Sequence, residues 1–381
     1  MKPFENPIYV TRPTLPPLPA FAAGLQEIWE TRRLTNRGPV LHRFERKLKD
    51  CLSAENLSTF TNGALALTVA LQGLRLSGEV ITTPFTFVAT TNAITQCGMS
   101  PVFADIGLDD LTIDPDQVEA MITPRTSAIL AVHVFGVPCK LDRLAAIAAR
   151  HGLALIYDAA HAFGMTVDNR SIASFGDVTM FSFHATKLFH TIEGGALTFG
   201  DAALGPVFDA LCNHGLEPDG DVRAAGLNAK MSEVQALMGE LMLDTVQASI
   251  AHGRRIDAAY RERLDTIPGL SLLEEPAAGI RSNYSFFPLL VDEVVFGMSS
   301  DMLKSALLRY NVHVRRYFTP LISDMTAFRA AASQDPLVNA RRIGPQVMAL
   351  PTYADLAIED VHRICDLVAN IQRTGGGDSM R

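Results

Sequence analysis

The feature that most constrains this chain is a series of short apolar runs broken by segments of a different character. Six runs read as strands: EVITTPF (79–85), PVFADI (101–106), AILAVHVFG (128–136), ALIYDAA (154–160), DVTMFSF (177–183) and GALTF (195–199). Helical segments lie between several of them. The clearest is LDRLAAIAARHG (141–152), with apolar residues at helical spacing and a terminal Gly152. Continuous apolar strands alternating with helices imply a mostly parallel sheet covered on both faces, an α/β fold class. At 381 residues, 48% of them hydrophobic, the chain suits two domains better than one.

The large α/β domain is expected at residues 21–240. A proline-rich segment, 1–20, precedes it and is expected to run extended along a surface or a partner subunit; a helical pattern starts at Phe21. A long helical stretch from about Ser232 to Leu264 leads into a smaller C-terminal α+β domain at 241–373. There YSFFPLLVD (284–292) reads as a strand, DMLKSALLRY (301–310) as a helix, and a last helix ends near Arg373. Residues 374–381, which include GGGDSMR, read as a flexible tail.

Several function classes are disfavoured at this level. The net charge is −8 with both signs interspersed, so the chain lacks the basic footprint of a nucleic-acid binder. Cys51, Cys97, Cys139, Cys212 and Cys365 are scattered without a C-x-x-C pair, which argues for reduced thiols in a cytoplasmic protein and against a zinc site. Prolines interrupt the first 20 residues where a signal peptide needs an apolar core, and no apolar stretch reaches the roughly 20 residues that cross a bilayer. No metal, membrane or nucleic acid is expected.

The polar residues fall at informative places. In an open α/β sheet, ligands bind beyond the carboxyl ends of the strands. ALIYDAAHAFG delivers Asp158 and His161 to such an end, and FSFHATK delivers Ser182, His184 and Lys187 to another. STFTNGALALTVALQGL places Asn62-Gly63 before a helix, whose free N–H groups and positive dipole end suit a phosphate. An amine able to form an imine, a carboxylate and a phosphate cradle are the parts that pyridoxal phosphate requires. A lysine after a strand is, by itself, most often a surface residue; the order and spacing of all three parts carry the reading.

The blocks NGALAL (62–67), TTPFTFVATTNAI (82–94), PVFADI (101–106), AILAVHVFG (128–136), DAAHAFG (158–164), FSFHATK…EGGA (181–196) and GLNAKMSE (226–233) resemble, in order, the DegT/DnrJ/EryC1/StrS family of sugar aminotransferases. That resemblance implies the fold type I architecture of pyridoxal-phosphate enzymes. It further implies roles. Lys187 matches the lysine that bonds the cofactor aldehyde and shuttles the proton, Asp158 the carboxylate at the pyridine nitrogen, and Ser182 the phosphate-binding hydroxyl. Gly63, Ala64 and Leu65 match the helix start whose amides face the phosphate, and Phe87 matches the ring that stacks on the cofactor. Asn228 matches an asparagine that reaches the phosphate from the neighbouring subunit, implying a homodimer with shared sites. The chain departs from the common pattern at Ala64-Leu65, where Thr-Ala is usual, and losing that hydroxyl weakens one phosphate contact by ~1 kcal/mol. His161 stands where many members have glutamine; it reaches the cofactor's phenolic oxygen or lies flat on the ring. Lys230 stands where arginine is common and receives no role.

The resemblance also implies a reaction, transfer of an amino group from L-glutamate to a nucleotide-linked keto-sugar by a ping-pong order. The stretches VTRPTLPPLPAFAAGLQEIWETRRLTNRGP and SFHATKLFHTIEGGA look like the branch that aminates carbon 4 of dTDP-4-keto-6-deoxyglucose, giving dTDP-4-amino-4,6-dideoxyglucose for glycan building. Amination at carbon 3, or of another nucleotide keto-sugar, is the alternative. In VHVRRYFTPL (312–321), Arg315, Arg316 and Tyr317 are candidates for the glutamate carboxylate or the nucleotide diphosphate. His190 and Glu193 are candidates for sugar hydroxyls, whereas His133, in an apolar strand, reads as a core histidine. Two readings of other classes remain. A dinucleotide enzyme would need a G-x-G-x-x-G after an early strand, and the chain has none there; a non-catalytic scaffold would not need Lys187.

Overall fold

The computed structural model describes residues 1–329 and 336–375. The tail expected at 374–381 lies outside the described residues from 376 onward.

Seven strands form the main sheet, in the spatial order Asn56–Phe60, Gly195–Phe199, Val178–Ser182, Ala154–Asp158, Thr126–Val132, Glu79–Thr82, Ser100–Phe103. Neighbours are parallel except that Gly195–Phe199 runs antiparallel to both strands beside it. Both faces are buried, which explains why the strands read as unbroken apolar runs. Ile156 and Met180 point into one core with Phe60, Val80 and Leu130. Their neighbours Leu155, Tyr157 and Phe181 point into a second core with Ile81, Ile129 and Phe44. Helix Gly63–Gly73 packs on the first face. Helices Pro39–Leu52 and Glu233–Met242 pack on the second. Glu233 is fully buried, and its carboxylate accepts N–H bonds from Gly38 (3.0 Å), Val40 (2.9 Å) and Leu41 (3.3 Å), capping the helix that Pro39 opens.

After helix Val246–Leu264 comes a four-stranded antiparallel sheet ordered Leu270–Leu272, Phe287–Val291, Val347–Leu350, Arg315–Arg316. Helices Ser300–Leu308 and Ile358–Arg373 cover it around a third core that includes Tyr260, Phe287, Leu303 and Ile364. The N-terminal segment is extended and docks on this part of its own chain. Ile8–Tyr9 pairs in parallel with Val312–His313, and Phe4 and Ile8 are buried in the third core. The helix that follows starts at Leu18, earlier than Phe21, because Pro19 sits in its first turn where no amide is missed.

Candidate active site

One edge of the main sheet collects the polar residues. Asp158 and Ser182 end adjacent parallel strands, so both stand at the same edge. Strand Asn56–Phe60 ends there too and hands over to helix Gly63–Gly73. Because Gly195–Phe199 is antiparallel, the loop 183–194 that carries Lys187 is the turn of a hairpin closing over that edge. Its first and last residues are laddered by Phe183 N–H to Gly194 O, 2.8 Å. Phe189 pins the middle. It is fully buried, stacked on Phe163 (centroids 4.4 Å apart) and edge-on to Phe183 (4.9 Å). A buried aromatic anchor two residues from Lys187 is what makes a loop residue a fixed one.

The edge opens into a cavity of about 800 Å³ whose lining includes Lys187, Asp158, His161, Ser182, Gly63 and Arg315. At its floor Asp158 is 5% exposed; its Oδ2 accepts from Thr90 Oγ1 at 2.9 Å and its Oδ1 from Ala160 N–H at 3.0 Å. Burial pushes this carboxyl above the usual range, opposed by those two donors and by the Lys187 charge. Lys187 is half-buried, with its Nζ 5.7 Å from the centroid of the Phe286 ring. Desolvation brings its pKa down to about 8, the Asp158 charge working against that fall and Arg315 adding to it. His161 Nδ1 accepts Phe135 N–H at 3.1 Å, which leaves the ring proton on Nε2. Burial, and then Lys187, holds this imidazole well below its usual pKa, so it is neutral. Its ring lies nearly parallel to Phe318 (10°) and Phe135 (21°).

The end of the cavity at the start of helix Gly63–Gly73 is shaped by glycines. A Cβ on Gly63 would lie 3.0 Å from Ser182 Cβ and 3.1 Å from Met180 Sδ. One on Gly195 would lie 2.8 Å from Asn62 C and from Gly63 N and Cα. Without side chains at these two positions, the helix start and the Ser182 strand end approach closely. The amides at that start are not all free, which corrects the expectation for Leu65: its N–H is taken by Asn62 Oδ1 at 2.8 Å, leaving Gly63 and Ala64 to offer theirs. Phe87 lines the cavity and is 56% exposed.

Two further expectations are overturned. Arg316 does not line the cavity. Next to Arg315 in a strand, it points the opposite way, pairs with Asp301 and donates to Pro345 O at 3.4 Å. His190 is 1% exposed and faces the N-terminal segment: its Nε2 donates to Thr14 O at 2.6 Å while Nδ1 accepts Ile192 N–H at 3.2 Å. Glu193 and Tyr317 do line the cavity, Tyr317 with the Arg315 guanidinium 5.2 Å from its ring centroid. Asn228 is exposed and outside this chain's cavity. His133 is buried with Nδ1 accepting Cys139 N–H at 3.1 Å, and its pKa is pushed down to about 3, a core histidine as read. Sequence reasoning missed Thr90, Phe286, Thr186 and Thr11. Thr90 stood inside a quoted block, but only folding brings it to Asp158.

The residues present fit pyridoxal phosphate. A buried carboxylate suits a cationic ring nitrogen, an amine of depressed pKa suits an aldehyde, and a helix start kept clear by two glycines suits a phosphate. Fold and site together are those of a pyridoxal-phosphate aminotransferase of fold type I. The match to a family model is nearly complete: residues 19–369 align with the DegT/DnrJ/EryC1/StrS aminotransferase family, and the chain belongs to it. Among its relatives is a dTDP-4-amino-4,6-dideoxy-D-glucose transaminase of Shigella dysenteriae, 41% identical over 97% of this chain and 100% of that one. A protein of the same description from Escherichia coli is 40% identical over 96% and 98%. A crystal structure of DesI in the presence of its TDP-sugar product superposes with a TM-score of 0.94, 36% identity, and coverage of 99% and 95%.

Proposed function

We propose that this aminotransferase moves the amino group of L-glutamate to carbon 4 of dTDP-4-keto-6-deoxy-D-glucose, forming dTDP-4-amino-4,6-dideoxy-D-glucose. The observation that carries the substrate is the 41% identity, end to end, with the Shigella transaminase of that name. The cavity agrees with it, since it holds an imine-forming lysine beside a buried carboxylate.

Pyridoxal phosphate, when bound, supplies the carbonyl that accepts the amine and the ring that withdraws electrons. The chain's own residues do the rest. Gly63 and Ala64 amides and the Ser182 hydroxyl would hold the phosphate, Asp158 would keep the ring nitrogen protonated, and Phe87 and His161 would hold the ring from the cavity wall. Lys187 Nζ, with a pKa near 8, takes a proton from the carbon alpha to nitrogen and returns it on the other side of the transfer. Apart from Lys187, Arg315 is the sole lysine or arginine among the described residues of the cavity wall. In a ping-pong order it meets the glutamate carboxylate first and the sugar diphosphate afterwards, one cation serving two anions in turn. We further place the enzyme in the cytoplasm as a homodimer, with Asn228 of each subunit reaching the other's phosphate site; its exposure outside its own cavity supports this.

The test is to incubate cofactor-loaded enzyme with glutamate and dTDP-4-keto-6-deoxyglucose and to locate the new amine by mass and NMR. An amine at carbon 4 is expected. An amine at carbon 3, or no product while glutamate still converts the bound cofactor, refutes the substrate.

A further inference from the structure

The N-terminal segment is tied at three points to parts of the chain that surround the cavity. Ile8–Tyr9 pairs with Val312–His313, immediately before the strand that bears Arg315. Val10 O accepts from Thr352 N–H at 3.0 Å, and Arg12 pairs with Asp355 at 3.2 Å. Thr14 O is held by His190 of the lysine loop. Between these ties lies Thr11, which lines the main cavity and also a recess of about 30 Å³ beside it. Lys187 and Thr186 line both spaces as well, so the recess opens next to the reacting amine.

The recess has a distinctive chemistry. Thr11, Thr14, Thr186, Ser249, Ser285 and Thr352 line it. The charged groups on its wall are Lys187 and Arg12, and Arg12 is already paired with Asp355. Its volume is about that of one water-sized group. So small a space among hydroxyl-bearing residues admits a single hydroxyl or ring oxygen of a hexose and is too small for a whole carboxylate or phosphate group.

We propose that residues 8–14 form a strap that completes the sugar-binding wall, Thr11 hydrogen-bonding the hexose beside Lys187, with His190 as the positioning residue that seats the strap through Thr14. This rests on the keto-sugar reading above. It assigns the strap to the sugar half-reaction only, because glutamate is too short to need that wall and is anchored at Arg315.

The test uses the cofactor-loaded enzyme and two readouts. Amide exchange is followed in residues 8–14 and 315–318 with the 4-amino sugar nucleotide present and no keto-acid acceptor, and separately with glutamate alone. The sugar is expected to slow exchange in both segments, and glutamate in 315–318 alone. Thr11→Val is expected to raise KM for the sugar about five- to tenfold, the loss of one hydrogen bond, with the glutamate half-reaction within about twofold of native. His190→Ala should speed exchange across 8–14 and raise the sugar KM, and His190→Gln, whose amide can still donate to Thr14 O, should recover most of both. Protection at 315–318 without protection at 8–14, or an unchanged KM in Thr11→Val, overturns the strap's role and leaves the substrate standing. Protection at neither segment, with no turnover of the sugar by native enzyme, overturns the substrate and the strap's role with it.

Discussion

Lys187 is expected to destabilise the cofactor-free enzyme, and replacing it should make that form more stable. An amine whose pKa falls from 10.5 to about 8 on folding loses about 3 kcal/mol in its charged state. Solvent reaching a half-buried side chain reduces this, so about 1–3 kcal/mol is the working range. The pH dependence follows from linkage. Below pH 8 the folded and unfolded chains both carry the proton, and the penalty is fully present. Between about 8 and 10.5 the folded chain releases its proton first, so stability rises with pH until the penalty has gone. Lys187→Met, nearly the same volume without the charge, escapes the penalty at every pH. Thermal melts of cofactor-stripped native and Lys187→Met enzyme should therefore differ by roughly 2–4 °C at pH 7 in favour of the inactive variant. The gap should close toward pH 10. A variant that melts no higher than native at pH 7, or a gap that stays constant between pH 7 and 10, would refute the claim that the active-site amine is held against its own solvation.

Two other substitutions probe the scaffold. Gly195→Ala puts a methyl 2.8 Å from three backbone atoms of Asn62 and Gly63, so the helix start must retreat; cofactor titration should show at least about tenfold weaker binding, together with a loss of ~1–3 kcal/mol in stability. Unchanged affinity would mean that the close approach is not what forms the phosphate site. Glu233→Gln turns its amide NH2, a donor, toward one of the three buried N–H donors that the carboxylate now satisfies, and denaturant unfolding should register a loss of ~1–3 kcal/mol with kcat unaltered.

The sheet could be read from the chain because its strands are buried on both faces, and that leaves runs such as ALIYDAA and DVTMFSF mostly apolar, with no charged residue between their first position and their polar ends. Those ends are where Asp158 and Ser182 stand, so the deepest part of the site was legible too. What could not be read depends on direction. Arg315 and Arg316 are equivalent as letters, yet one step along a strand sends the first to the cavity and the second to Asp301. His190 lies three residues from Lys187, and only the fold shows it turned toward Thr14, 176 positions earlier. Leu65 failed for a local reason that sequence does contain: an asparagine before a helix claims an amide for itself.

The pairing of Ile8 with Val312 has a consequence for synthesis. A growing chain can form the lysine hairpin and the carboxylate floor once residue 199 has left the ribosome, but the N-terminal segment must wait for about a hundred residues more before its partner strand exists. The first part of the protein to be made is thus among the last to find its place. Until it does, the lysine has its loop and its carboxylate while one side of the cavity stands open to water.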